Sequence, residues 1–214
     1  MRARARQPGG FTLVEMLIVT AILALLLSML LPSLGRARTL ARIAKAHAEL
    51  RGITVALDVY RHDHDQVLPP TRFSCSSQTA YELPIELKAY LPGGRIKGVE
   101  VVEMHDPFRS GETYKYRAVG AAIMNESILR NGAATLWVPD GFPREQGDAG
   151  RYYNDPADSP VRYAVWSTGP DPDSPKFDIP GRLPVPRKYW LTGASDTGVI
   201  VHLEDADGRV HISP

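Results

Sequence analysis

Residues 11–31, FTLVEMLIVTAILALLLSMLL, form an apolar run of 21 residues interrupted by a single acid, Glu15. As a helix this run spans about 30 Å, the thickness of a bilayer's hydrocarbon core. Whatever else the chain does, it must keep that surface from water. A carboxylate within such a helix costs roughly 2.5–3.5 kcal/mol on insertion scales, so it calls for a partner. The run directly follows Gly9-Gly10, a pair that reads as a processing point. A secretory signal peptide is excluded by the length and by Met29-Leu30-Leu31-Pro32, which offers no small-residue cleavage site. A plain signal anchor fits the length but leaves Gly9-Gly10 and Glu15 unexplained.

These residues resemble the class III signal of type IV pilins and type II secretion pseudopilins. The resemblance rests on a short basic leader ending at Gly10, then Phe11-Thr12-Leu13-Val14-Glu15, then a leucine-rich helix carrying Pro32. It implies cleavage between Gly10 and Phe11 by a prepilin peptidase on the cytoplasmic side, followed by N-methylation of Phe11. It also implies that Glu15 and Pro32 serve assembly. With subunits stacked at an axial offset, Glu15 of one neutralises the amine of Phe11 on the next, turning an insertion penalty into a register device. Pro32 removes one intrahelical hydrogen bond and predicts a kink or a locally melted turn. Arg2, Arg4, Arg6 and the amine of Met1 precede the span, and Arg36, Arg38, Arg42 and Lys45 follow it. Charge therefore does not orient the chain, and the N-in orientation rests on the resemblance.

The expected organisation is a leader (1–10), a transmembrane and assembly helix (11–32), and a head (33–214) that includes the second half of the helix. Removing the leader leaves 22 basic against 24 acidic side chains, a balance with no pull toward nucleic acid. The single cysteine, Cys75, cannot form an intramolecular disulfide and reads as a tolerated loop thiol. Leu34, Leu40, Ile43, Leu50, Ile53, Leu57 and Tyr60 recur at intervals of one helical stripe, so a single helix is predicted over about 12–62. A short helix is predicted over 80–91. Strands are predicted at 98–104, 114–119, 135–138, 161–167, 199–204 and 209–212. Tyr114, Tyr116 and Ala118 alternate with Lys115 and Arg117, the pattern of a half-buried strand. Asp205-Ala206-Asp207-Gly208 signals a hairpin. A four-residue loop there would set Glu204 against Arg209 and His202 against His211. The resulting fold class is α+β: a long N-terminal helix, half membrane and half amphipathic, on a small antiparallel sheet with long loops.

That layout resembles the G-type major pseudopilins. Asp106-Pro107-Phe108 leading to Tyr114-Lys115-Tyr116 is similar to the family's Asp-Pro-aromatic segment, and Ser167-Thr168-Gly169-Pro170-Asp171 to its Ser-x-Gly-x-Asp loop. The resemblance implies a calcium ion there, with Ser167, Asp171, Asp173, Asp178 and backbone carbonyls as ligands, the hard oxygen set calcium takes. Pro172 departs from the family pattern. His62-Asp63-His64-Asp65 invites a transition metal, but alternating residues at a helix end point apart, and a solvated helix terminus is the simpler account. No G-x-S-x-G, H-E-x-x-H, P-loop or paired-cysteine motif occurs, and no catalytic role is expected.

The function these residues imply is structural: a pilin-like subunit of a type II secretion pseudopilus, partnered by copies of itself, the prepilin peptidase, an inner-membrane assembly platform, minor pseudopilins and the membrane. It would be single-pass in the bacterial inner membrane with a periplasmic head, then part of the pseudopilus. Two readings stay open beside it: a type IV pilus subunit for adhesion, motility or DNA uptake, and a membrane-anchored module binding an extracellular ligand through residues 139–188.

Overall fold

The computed structural model describes residues 11–73, 81–91, 104–125, 128–171, 182–193 and 197–214. The leader with Gly10, Cys75, most of the predicted strand at 98–104, and Pro172, Asp173 and Asp178 lie outside them. The chain divides into two compact units, Met1–Ala41 and Arg42–Pro214.

Helix α1 runs from Leu13 to Asp63, within a residue of the predicted bounds at each end. In the first unit every side chain from Phe11 to Arg38 is exposed in the single chain. The helical state is unbroken at Pro32, so the melted-turn alternative does not hold: the lost amide donor of one residue is absorbed by its flanking turns. The hydroxyls of Thr20, Ser28 and Ser33 donate back to carbonyls three or four residues earlier. The rod therefore shows lipid or protein neighbours few unmet donors.

In the second unit the buried face of α1 is Ala46, Leu50, Ile53, Thr54, Ala56, Leu57 and Tyr60, with Ile43 packed against it. Leu34 and Leu40, predicted on this stripe, are exposed instead. The face rests on a four-stranded antiparallel sheet ordered β2 (Lys115–Ala118), β7 (Val161–Ser167), β8 (Ile200–Asp205), β9 (Val210–Ile212). Tyr114, Tyr116, Tyr163, Val165 and Ile200 close the core with the helix. Complete burial of an aliphatic side chain such as Leu50 contributes about 1.5–3 kcal/mol.

The opposite face of this sheet is buried too. Ala164, Trp166, Val201 and Leu203 pack with Leu136, Val138, Val185, Tyr189 and Trp190 into a second core. The half-buried pattern expected of β2 is thus corrected: Lys115 and Arg117 are 7% and 6% exposed. Lys115 pairs with Glu112 at 2.8 Å, and Arg117 lies over the Tyr81 ring and donates to its hydroxyl. Residues 182–193 supply much of this covering layer, held by Trp190 Nε1 donating to the Pro184 carbonyl at 2.8 Å.

Four strands escaped the sequence pattern. β1 (Thr71–Phe73) pairs in parallel with β3 (Gly120–Met124), which pairs antiparallel with β4 (Ile128–Ala134), giving a mixed sheet where only antiparallel pairing was expected. The fourth is β6 (Gly150–Tyr153), which forms a two-stranded ribbon with β5 (Leu136–Pro139), the strand predicted at 135–138. The predicted helix over 80–91 reduces to a 3-10 turn at Ile85–Ala89.

The terminal hairpin is where expected but one residue out of register. Its loop holds three residues, Ala206-Asp207-Gly208, closed by Asp205 N donating to Arg209 O at 3.0 Å and Gly208 N to Asp205 O at 3.1 Å. Gly208 has φ +80°, the left-handed position that a three-residue hairpin loop requires. Hence Glu204 faces Val210, Leu203 faces His211, and His202 faces Ile212. A one-residue slip moves side chains to the other face of the sheet, so the expected His202–His211 pair does not form.

Candidate functional site

The helix start is a reciprocal cap. Thr12 N and Thr12 Oγ1 both donate to Glu15 Oε2 at 2.8 Å, and Glu15 N donates to Thr12 Oγ1 at 3.2 Å. This is the capping box, which satisfies otherwise orphaned amides at a helix N-terminus. Its signal, Thr12-x-x-Glu15, stands in the sequence, although the family resemblance gives Glu15 only an intermolecular role. Phe11 lies outside the helix, before the cap, and is 74% exposed. Gly10 lies outside the described residues. The expected scissile bond thus precedes the first helical turn, and the only acid of the rod sits on that turn. Pro32 is exposed within the same helix.

In the head, Asp106 binds the two resembling motifs to each other. Its carboxylate, 3% exposed, accepts from Ser167 Oγ at 2.8 Å, Thr168 N at 2.8 Å, Thr168 Oγ1 at 3.2 Å and Phe108 N at 2.9 Å. Four donors on one buried carboxylate offset its desolvation. The sequence marks Asp106 by its motif alone and gives no sign of this role. Gly169 completes the corner with φ +76°, and a Cβ there would lie 1.8 Å from the Gly198 carbonyl oxygen. Only glycine fits that approach.

Of the expected calcium ligands, Ser167 is fully buried, donates to Asp106 and accepts from Gly169 N at 3.2 Å. Among the described residues one lone pair of its hydroxyl has no donor. Asp171 is half-buried, and Asp173 and Asp178 lie outside the described residues. Among the described residues no three His, Cys, Asp or Glu side chains converge as a metal set. In His62-Asp63-His64-Asp65, His64 Nδ1 is 2.8 Å from the Tyr60 carbonyl, and its ring stacks on Tyr60 at 3.9 Å, with Tyr90 edge-on. His62 is exposed, so the two imidazoles are not brought together on one ion.

A family model described as the prokaryotic N-terminal methylation motif matches residues 6–31, the stretch that carries the cap and Glu15. The type II secretion system core protein G of Pseudomonas aeruginosa is 34% identical over 59 residues, 28% of this chain and 42% of that protein. The protein of the same name from Vibrio cholerae is 31% identical over 117 residues, 55% of this chain and 75% of that protein. The chain therefore spans less than half of the first relative and three quarters of the second. No solved structure matches. An apolar capped helix under a methylation motif, in a chain that aligns with three quarters of the Vibrio protein, places this chain in the family of the type II secretion system core protein G.

Proposed function

We propose that the chain is a pseudopilin, a structural subunit that builds the type II secretion pseudopilus. The observation that carries the reading is the exposed apolar rod whose single carboxylate sits at its first turn, under a methylation motif. Such a surface is stable in lipid or against like rods, and the role is mechanical rather than catalytic. In this reading the precursor sits single-pass in the inner membrane with a periplasmic head. A prepilin peptidase cuts between Gly10 and Phe11 and the new amine of Phe11 is methylated. Glu15 then pairs with that amine on a neighbouring copy as an inner-membrane platform and minor pseudopilins start the filament. Mass spectrometry of the protein from native membranes is the test: the expected chain starts at Phe11 and carries one methyl group. An intact leader overturns the reading.

The loop opened by Asp171 remains a candidate calcium site, with Asp173, Asp178 and the Ser167 hydroxyl. Calcium would brace the loop electrostatically. In a chelator-stripped full-length sample, calcium at a hundredfold excess over its Kd is expected to stabilise the head by about 2.7 kcal/mol. Asp171→Ala should abolish the effect. Unchanged melting and unchanged protease sensitivity on titration would dismiss the ion.

A further inference from the structure

The core of the head holds a histidine pair that neither filament assembly nor calcium uses. His47 on α1 and His202 on β8 approach with Nδ1 and Nε2 3.3 Å apart. Their ring centroids are 5.6 Å apart at 42°, so the contact is the nitrogen–nitrogen hydrogen bond and not a stack. His202 is 1% exposed and His47 is half-buried. With no third ligand beside them among the described residues, the pair is a hydrogen bond between helix and sheet.

Such a bond needs one ring nitrogen to donate and the other to accept. A first proton can be shared across the pair, but it puts a charge into a site that has little to compensate it. The charged neighbour is Arg51, one turn on along α1, which repels it. Glu49 is held by Tyr114 at 2.6 Å and by Lys45. Glu204, two residues along β8, is taken by Arg61 and Arg162. From the adjoining strands the residues opposite His202 are Val165 and Ile212, neither of them titratable. A second proton leaves two donors facing each other.

We propose that His47 and His202 form an acid-sensitive latch, which fastens α1 to β8 while both rings are neutral and loses that hold as they take up protons.

Burial, the partner imidazole and Arg51 push His202 down to about 4, and burial with Arg51 lowers His47. An unfolded histidine titrates near about 6.5. Below that value the unfolded chain therefore binds more protons than the folded one, so the latch's stabilisation is complete above it. It drains away as pH falls toward the folded values.

The test is thermal unfolding of the full-length protein in detergent, followed by near-ultraviolet circular dichroism at pH 7.5 and 5.0. The parent's midpoint is expected to fall by roughly 5 °C between the two. His202→Leu, and the hydrogen-bonding but non-titrating His202→Gln, should each lose most of that fall. Ring nitrogen shifts from NMR, which need no variant, should show His202 neutral at pH 5.5. A parent with no acid-linked fall, variants that fall as far as the parent, or a His202 that titrates near about 6.5 would each overturn the latch.

Discussion

Glu204→Ala is expected to cost the head about 3–5 kcal/mol, the loss that follows when one partner of a buried ion pair is removed. Glu204 is 3% exposed, and its Oε1 takes Arg61 Nη1 at 2.7 Å and Arg162 Nη1 at 2.8 Å. The two arginines come from different elements, the last turn of α1 and strand β7. One carboxylate oxygen thus ties the end of the helix to two strands of the sheet. Removing it strands Arg61, whose side chain is 17% exposed and which, among the described residues, keeps the ion pair with Asp58 at 3.2 Å. Its guanidinium is held above its ordinary range despite burial, by the hydrogen bond and charge of Glu204 and by Asp58. Arg162 is 40% exposed and also donates to the Ala206 carbonyl, so water can solvate it when the pair is broken. Arg162→Ala should therefore cost only about 1 kcal/mol. Chemical denaturation of the two variants side by side checks the asymmetry. Equal losses would mean that Glu204 is not the buried hub.

The helix, its bounds and its docking face were legible because they rest on one strong period: Ile43, Leu50, Ile53, Leu57 and Tyr60 lie where the 3.6-residue stripe puts them. β7 was legible through Tyr163-Ala164-Val165-Trp166, rich in residues that favour strands. β3 and β4 were not, because each holds a single β-branched residue, Ile123 or Ile128, among residues that are mostly alanine, glycine or polar. The second core was hidden for another reason. Its contributors, Leu136, Val138, Val185 and Trp190, are scattered between prolines and glycines, and periodicity says nothing about which loop will fold over a sheet. That covering layer is also why Lys115 and Arg117 sit inside while their alternation points to solvent. The hairpin slipped by one residue because Asp205 acts at the strand end, its Oδ1 accepting from Asp207 N at 3.0 Å and Arg209 N at 2.9 Å, so that only three residues are left for the loop.

At the N-terminus the same carboxylate can serve two partners, and Glu15→Gln separates them. Among the described residues Glu15 takes its hydrogen bonds from Thr12. Glutamine fills that position of a capping box as well as glutamate does, so Glu15→Gln keeps the local hydrogen bonds and deletes only the charge. Glu15→Ala deletes both. If the acid acts only as a cap, the glutamine variant assembles like the parent and the alanine variant loses about 1 kcal/mol of helix stability. Intersubunit pairing predicts something else. The Phe11 amine of a neighbour offers a charge-assisted bond, roughly twice as strong as the neutral donors it replaces, and without the carboxylate that amine is left unpaired in an apolar filament. Glu15→Gln should then assemble as poorly as Glu15→Ala, with filament yield at least about tenfold below the parent, since about 1.4 kcal/mol already shifts an equilibrium tenfold. Melting of the head should be unchanged in both, because Glu15 belongs to the other compact unit. Thr12→Val should retain filaments, since it removes the competing hydroxyl and leaves the acid free for its neighbour. Sheared filament yield measured for the four proteins decides the matter: a glutamine variant that matches the parent would reduce Glu15 to a helix cap.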